Sequence, residues 1–123
     1  MDKKTILLVE DSTDVRELVK EVLETDYDYE VVEFRDGASA IRALDAKKTH
    51  FDAAVLDIVM MGHGGSVMDY LKKIPQYREI PIIFHTGLMK EQFDNRLLES
   101  AHYVRKGEGS ADEVAQTLKK LLR

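Results

Sequence analysis

The 123-residue chain is predicted to be an α/β protein: five strand–helix units building one parallel sheet with helices on both faces. Three observations predict this. Short apolar runs alternate along the chain with stretches of helical periodicity. The runs "ILLV", "AAVL" and "PIIF" are apolar throughout, as strands covered on both sides are. The length suits one domain with a real core and is short for two, so residues 1–123 are expected to form a single domain.

The elements follow in order. "TILLV" has the length and β-branched content of a buried strand. Val15, Leu18, Val19, Val22 and Leu23 then recur at the spacing of one helical stripe, and Asp14 with Glu17 is the expected N-cap pair. "YEVVEF" alternates as a second strand does, and "DGASAIRALDA" reads as a helix entered through a turn at Gly37. "AAVLD" is the third strand, followed by a glycine-rich loop and a helix carrying Val67, Leu71 and Ile74. "IPIIFHT" is the fourth, with Pro81 tolerable at its start. Met89, Phe93 and Leu97 stripe a short polar helix, "AHYVRK" is the fifth strand, and Val114, Leu118 and Leu121 stripe the last helix.

Composition narrows the function. Hydrophobic residues are 44% and charged residues 33% of the chain, as in soluble globular proteins. No apolar run approaches the ~20 residues of a membrane span, and "MDKKTILLVE" lacks the apolar region of a signal peptide; a cytoplasmic protein is expected. The absence of cysteine excludes disulfides and thiolate metal sites. A net charge of −5 argues against a nucleic-acid surface. Met1 to Asp36 holds 12 acidic and 5 basic residues, so the acidity is concentrated there.

Right-handed crossovers place all strand C-termini on one edge, where open α/β sheets bind ligands. The first strand ends in Glu10 and Asp11, the third in Asp57, the fourth in Thr86 and the fifth in Lys106. Carboxylates crowded there repel by roughly 4 kcal/mol per pair at ~4 Å unless they share a cation. An all-oxygen, carboxylate-rich cluster suits Mg²⁺, which keeps waters and bridges to phosphate. An aspartate beside Mg²⁺ is a potential nucleophile for an aspartyl-phosphate, with a lysine and a hydroxyl to hold the phosphoryl oxygens.

With "LLVEDS", "DGASAIRAL", "VLDIVMMGHGG", "PIIFHTG" and "AHYVRKG" in this order, the whole chain resembles the receiver domain of two-component response regulators. That resemblance implies a flavodoxin-like doubly wound (βα)5 fold with strand order 2-1-3-4-5. It implies that Asp57 accepts a phosphoryl group from a histidine kinase or histidine phosphotransfer protein. Mg²⁺ would be held by Asp11, Asp57, Glu10 and the backbone carbonyl of Val59, with Glu10 acting either directly or through water. Thr86 and Lys106 would contact the phosphoryl group, and Thr86 and Tyr103 would form the switch. The protein would be a phosphoacceptor, catalysing only its own phosphorylation and dephosphorylation. It would act as a monomer or weak dimer, with no nucleic acid or membrane as partner. Its downstream protein target would dock on the face made by the last two helices and the fifth strand.

Three positions depart from the family pattern. Met60-Met61-Gly62 replaces the usual Met-Pro-Gly, Gly107 follows Lys106 where proline is usual, and His85 stands where an apolar residue is typical. A trans peptide is expected at Lys106-Gly107, because a cis bond without proline costs ~2.5–4 kcal/mol. His50, His63, His85 and His102 lack metal-ligand spacing and read as surface or strand residues. Among other functions, a flavin protein shares the fold class, but the acidic loop "EDSTD" would repel a cofactor phosphate. The remaining alternative is a pseudo-receiver, a binding module that works without phosphorylation. Finally, Val59 and Leu88 flank the path of hydrolytic water in receivers, and neither side chain orients a water. A long-lived phospho-Asp57 is expected.

Overall fold

The computed structural model describes residues 3–46, 48–57, 64–92, 99 and 101–122, with 64–66 described by backbone alone. Five parallel strands, β1 (Thr5–Val9), β2 (Glu30–Phe34), β3 (Ala53–Leu56), β4 (Ile82–Thr86) and β5 (His102–Arg105), form one sheet. Their order is β2-β1-β3-β4-β5, the flavodoxin-like order expected. Among the described residues there are four α-helices: α1 (Thr13–Glu21), α2 (Gly37–Asp45), α3 (Gly64–Lys73) and α4 (Ser110–Leu121). A π-helical turn, Val22–Asp26, continues α1.

The central strands β1, β3 and β4 are largely apolar because their alternate residues serve two cores. Leu7 and Val9 of β1, Ala54 and Leu56 of β3 and Phe84 of β4 pack with Ala40 and Leu44 of α2 and Val67, Met68 and Leu71 of α3. The intervening Ile6, Leu8, Ala53, Val55 and Ile83 pack with Val19, Leu23 and the α4 residues Ala111, Val114, Ala115 and Leu118. Helices therefore cover both faces. None among the described residues is long and apolar enough to cross a membrane.

Two local expectations change. The cap of α1 is Ser12, whose Oγ accepts the Val15 N–H at 3.4 Å; Asp14 and Glu17 lie inside the helix. Ser12, two residues before Asp14, already lies beyond the end of β1 at Val9 and is free to cap, so the helix starts sooner. Leu18, assigned to the buried stripe, is 54% exposed, while Val19 and Leu23 are buried. Val15 and Val22 pack half-buried against the same core, so Leu18, at the edge of the stripe, is the one left to solvent. α2 begins as expected: Asp36 Oδ1 accepts the Ser39 N–H at 2.7 Å and Gly37 is the first helical residue. In the segment of the expected polar helix, Lys90–Gln92 is a single 3-10 turn and Met89 precedes it, exposed. Phe93 and Leu97 lie outside the described residues, as do Val59, Met60, Met61, Gly62 and His63.

Candidate functional site

Three residues just past the strand ends prolong the ladder by one hydrogen bond each. Glu10 N–H donates to Phe34 O (3.0 Å), Asp57 N–H to Val9 O (3.2 Å) and Lys106 N–H to Thr86 O (2.8 Å). Their side chains are thereby delivered to one edge with little backbone freedom. Glu10 and Asp57 are nearly inaccessible, at 1% and 4% exposure, whereas Asp11 is exposed. Oxygens of Glu10, Asp11 and Asp57 lie within 4.8 Å of one another.

Lys106 closes this group. Its Nζ lies 2.5 Å from Asp57 Oδ2, and 2.9 Å and 3.0 Å from the two Glu10 carboxylate oxygens. Burial pushes the Glu10 carboxyl above its ordinary value, although the Lys106 and Ser12 hydrogen bonds pull the other way. Burial also pulls on the lysine, downward, but the bonds to Asp57 and Glu10 outweigh it, and its pKa rises. Behind the edge, Arg16 Nη1 donates to Glu10 O at 2.9 Å, and Ser12 N–H to Glu10 Oε2 at 3.1 Å. The start of α1 is thus anchored to the same residue that pairs with Lys106.

The structure brings Glu10, Asp11, Asp57 and Lys106 together as the sequence led one to expect. Thr86 and Tyr103 meet elsewhere. Thr86 is fully buried and its Oγ1 accepts the Leu88 N–H at 3.2 Å. The half-buried Tyr103 donates its O–H to Leu88 O at 2.5 Å, and the Lys90 ammonium sits 5.4 Å from its ring centroid. One peptide segment, at Leu88, is therefore gripped by both. Sequence reasoning singled out Leu88 only for its side chain, because backbone hydrogen bonding leaves no mark on residue type. The expected Val59 carbonyl ligand lies outside the described residues. The Lys106-Gly107 peptide is trans, as expected. His85 is buried in β4 and bonded to Ser110, so of the two readings, surface or strand, the second applies.

The donor set fits a hard divalent cation. Among the described residues, the three carboxylates carry two more negative charges than the Lys106 ammonium balances, and all the donors are oxygen.

The response regulator receiver domain model matches residues 6–118. Among solved structures, chemotaxis protein CheY4 of Vibrio cholerae superposes with a TM-score of 0.83 at 24% identity, covering 98% of this chain and 100% of that one. At that identity the likeness is one of fold. Response regulator TrrA of Thermotoga maritima, solved in complex with Mg²⁺ and BeF, is 31% identical over 97% of this chain and 99% of that one, with a TM-score of 0.81. A second structure holds TrrA in complex with the histidine kinase ThkA (30% identity, TM-score 0.80, 98% and 99% covered). A curated relative, a protein-glutamate methylesterase/protein-glutamine glutaminase of Bradyrhizobium diazoefficiens, is 35% identical over 91 residues, 73% of this chain. The chain spans only 24% of that relative's length. With a family match over nearly its whole length and the strand order of its structural neighbours, the chain belongs to the response regulator receiver domain family of two-component systems.

Proposed function

We propose that the chain works as a single receiver unit, a phosphorylation-dependent switch in which Asp57 is the phosphoacceptor. The observation that carries this is the pair of buried carboxylates, Glu10 and Asp57, bridged by Lys106 with Asp11 alongside. Buried charge is costly, so a cluster this acidic is better explained as a site than as a stabilising device.

Phosphorylation is general for the family. On this reading, an Asp57 carboxylate oxygen attacks phosphorus in the donor, a phosphohistidine of a histidine kinase or phosphotransfer protein. The new O–P bond forms as the P–N bond breaks, and its electron pair leaves on the imidazole. Lys106 already lies against the attacking carboxylate and is placed to follow the phosphoryl oxygens as charge moves onto them. Asp11, Asp57, Glu10 and the Val59 carbonyl are the proposed holders of Mg²⁺, which when bound neutralises the excess charge of donor and site. The complex of TrrA with Mg²⁺ and BeF, and that of TrrA with a histidine kinase, support these partners. Thr86 and Tyr103 read out the change, because both hold the Leu88 segment and any movement of the Thr86 hydroxyl must release or shift it. Output is by protein contact at the face of β5, α4 and the segment before β5, and the protein acts as a monomer or weak dimer.

Incubation with acetyl phosphate and Mg²⁺ is the test. Wild type is expected to take up label, resolved by phosphate-affinity electrophoresis, and the nearly isosteric Asp57→Asn to take up none. Labelling of neither protein would support the pseudo-receiver instead, and equal labelling of both would show another nucleophile. The same gel measures lifetime. Val59→Asn with Leu88→Glu is expected to lose label about tenfold faster than wild type, since a positioned water lowers the barrier. Equal decay would show that side-chain positioning of water does not limit hydrolysis.

A further inference from the structure

β4 carries one polar ring into the layer beneath α4. His85 is buried, pairs with Val104 in the ladder, and lies two residues from Ile83, on the face that packs Ala111 and Val114. Its Nε2 stands 2.8 Å from Ser110 Oγ. That same oxygen accepts the Gly107 N–H at 3.2 Å, and the Ser110 N–H returns to Gly107 O at 3.0 Å. One residue earlier, the Lys106 N–H is bonded to Thr86 O. The two N–H groups that flank the Lys106 Cα are therefore both anchored to β4, one directly and one through Ser110 and His85.

The imidazole is a poor choice for packing. Its Nδ1 is buried and has no hydrogen-bond partner among the described residues. Burial, with the Lys106 charge nearby, outweighs the pull of Asp57 and pushes its pKa down to about 4, so the ring is neutral near pH 7. A valine or leucine would bury no polar atom there. What the histidine offers in exchange is the bond made by its other nitrogen. An aliphatic residue at 85 would lack that partner for Ser110, and a proline at 107 would lack the N–H. Positions 85 and 107 are joined by one hydroxyl.

We propose that His85, acting through Ser110 Oγ and the Gly107 N–H, is a positioning residue that aims the Lys106 ammonium at Asp57. The proposal rests on the reading of Asp57 as phosphoacceptor and Lys106 as its phosphoryl contact. It also makes β4 a common support: Thr86 and the hold on Lys106 sit on adjacent residues, so a shift of the strand end moves both.

The test uses the whole chain and three variants, His85→Val, Ser110→Ala and the double. Three quantities are read: melting temperature, amide exchange at Gly107, and the rate of labelling by acetyl phosphate with Mg²⁺. His85→Val is expected to melt at or above the wild-type temperature, because it removes the orphaned nitrogen. Exchange at Gly107 is expected to rise and labelling to slow, each about tenfold. Ser110→Ala should do the same, and the double variant should be no slower than either single, since a chain broken twice is still one broken chain. A purely structural histidine would instead move rate and melting temperature together. Wild-type labelling by His85→Val overturns the proposal, as does unchanged exchange at Gly107, or losses that multiply in the double variant. Absence of label on the wild-type chain is a different failure, which removes the Asp57 reading and the role of His85 with it.

Discussion

Two clusters of opposite charge lie within reach of Arg16, and they behave in opposite ways. On the α1–β2 side, Glu33 is held by Arg16 Nε at 3.0 Å and Lys20 Nζ at 2.6 Å, with its side chain 31% exposed. The bond from Lys20 leads, and with Arg16 it overcomes the opposing effect of burial and holds the Glu33 carboxyl below its ordinary value. At the strand ends, Glu10 has an equally close cation in Lys106, yet its pKa is raised. The difference is solvent and stoichiometry. Glu33 has two cations and water, whereas Glu10 shares one lysine with Asp57 in a buried setting. A surface ion pair is a small contribution; a buried, under-neutralised one is stored electrostatic work that a ligand can release.

Removing the lysine from each cluster should separate them most. Lys106→Met removes the ammonium that the buried Glu10 and Asp57 carboxylates share and is expected to destabilise the metal-free protein by about 3 kcal/mol at pH 7. Added Mg²⁺ should recover much of that loss by binding the folded state. Lys20→Met should cost under ~1 kcal/mol and show no such recovery. Urea unfolding of the two variants, with and without Mg²⁺, measures both; equal losses would erase the distinction between the clusters.

Asp11→Ala acts on the metal rather than on the fold. Because Asp11 is exposed and adds to the excess charge, its removal should leave the metal-free melting temperature unchanged or higher. The upward shift produced by Mg²⁺ should fall to near zero. Identical shifts in variant and wild type would remove Asp11 from the metal site.

The smallest effects are in pH dependence, and they have opposite signs. Glu33 has a lowered pKa, so it stabilises the fold above its ordinary value of 4.5, and that contribution is lost as pH falls through the folded-state value. Glu10 has a raised pKa, so its contribution is fully present below 4.5 and is lost as pH rises through the folded-state value. Relative to wild type, Glu33→Gln should therefore be less stable at pH 7 by under ~1 kcal/mol, converging with wild type on acidification. Glu10→Gln should improve relative to wild type as pH rises from 4.5. Parallel curves for the two variants would show that burial does not set the sign at Glu10.

Most of the site could be read before folding was considered. Glu10, Asp11, Asp57 and Lys106 each follow an apolar run, and alternation of strands with helices sends all such positions to one edge. Gly37 after Asp36 announced α2 for a local reason, a cap bond spanning three residues. Leu18 misled because spacing defines a stripe but not how much of it the sheet covers. Several capping residues follow one another in "DSTD", so residue type alone does not single out Ser12, and only the start of α1 selects among them.

What the sequence determined by itself was periodicity and order along the chain: where strands and helices fall, and which side chains stand at strand ends. These follow from interactions between near neighbours, where residue type is decisive. The family's strand order, read by resemblance, was met in the sheet. Tertiary structure decided which carboxylate shares the lysine, how deeply each is buried, and hence the opposite pKa shifts of Glu10 and Glu33. It also decided that His85, Gly107 and Ser110 form one chain of hydrogen bonds, and that Thr86 and Tyr103 grip the same Leu88 segment. Those contacts join residues from different strands and helices through a single hydroxyl or a backbone group, which any sequence pattern contains and only packing can aim.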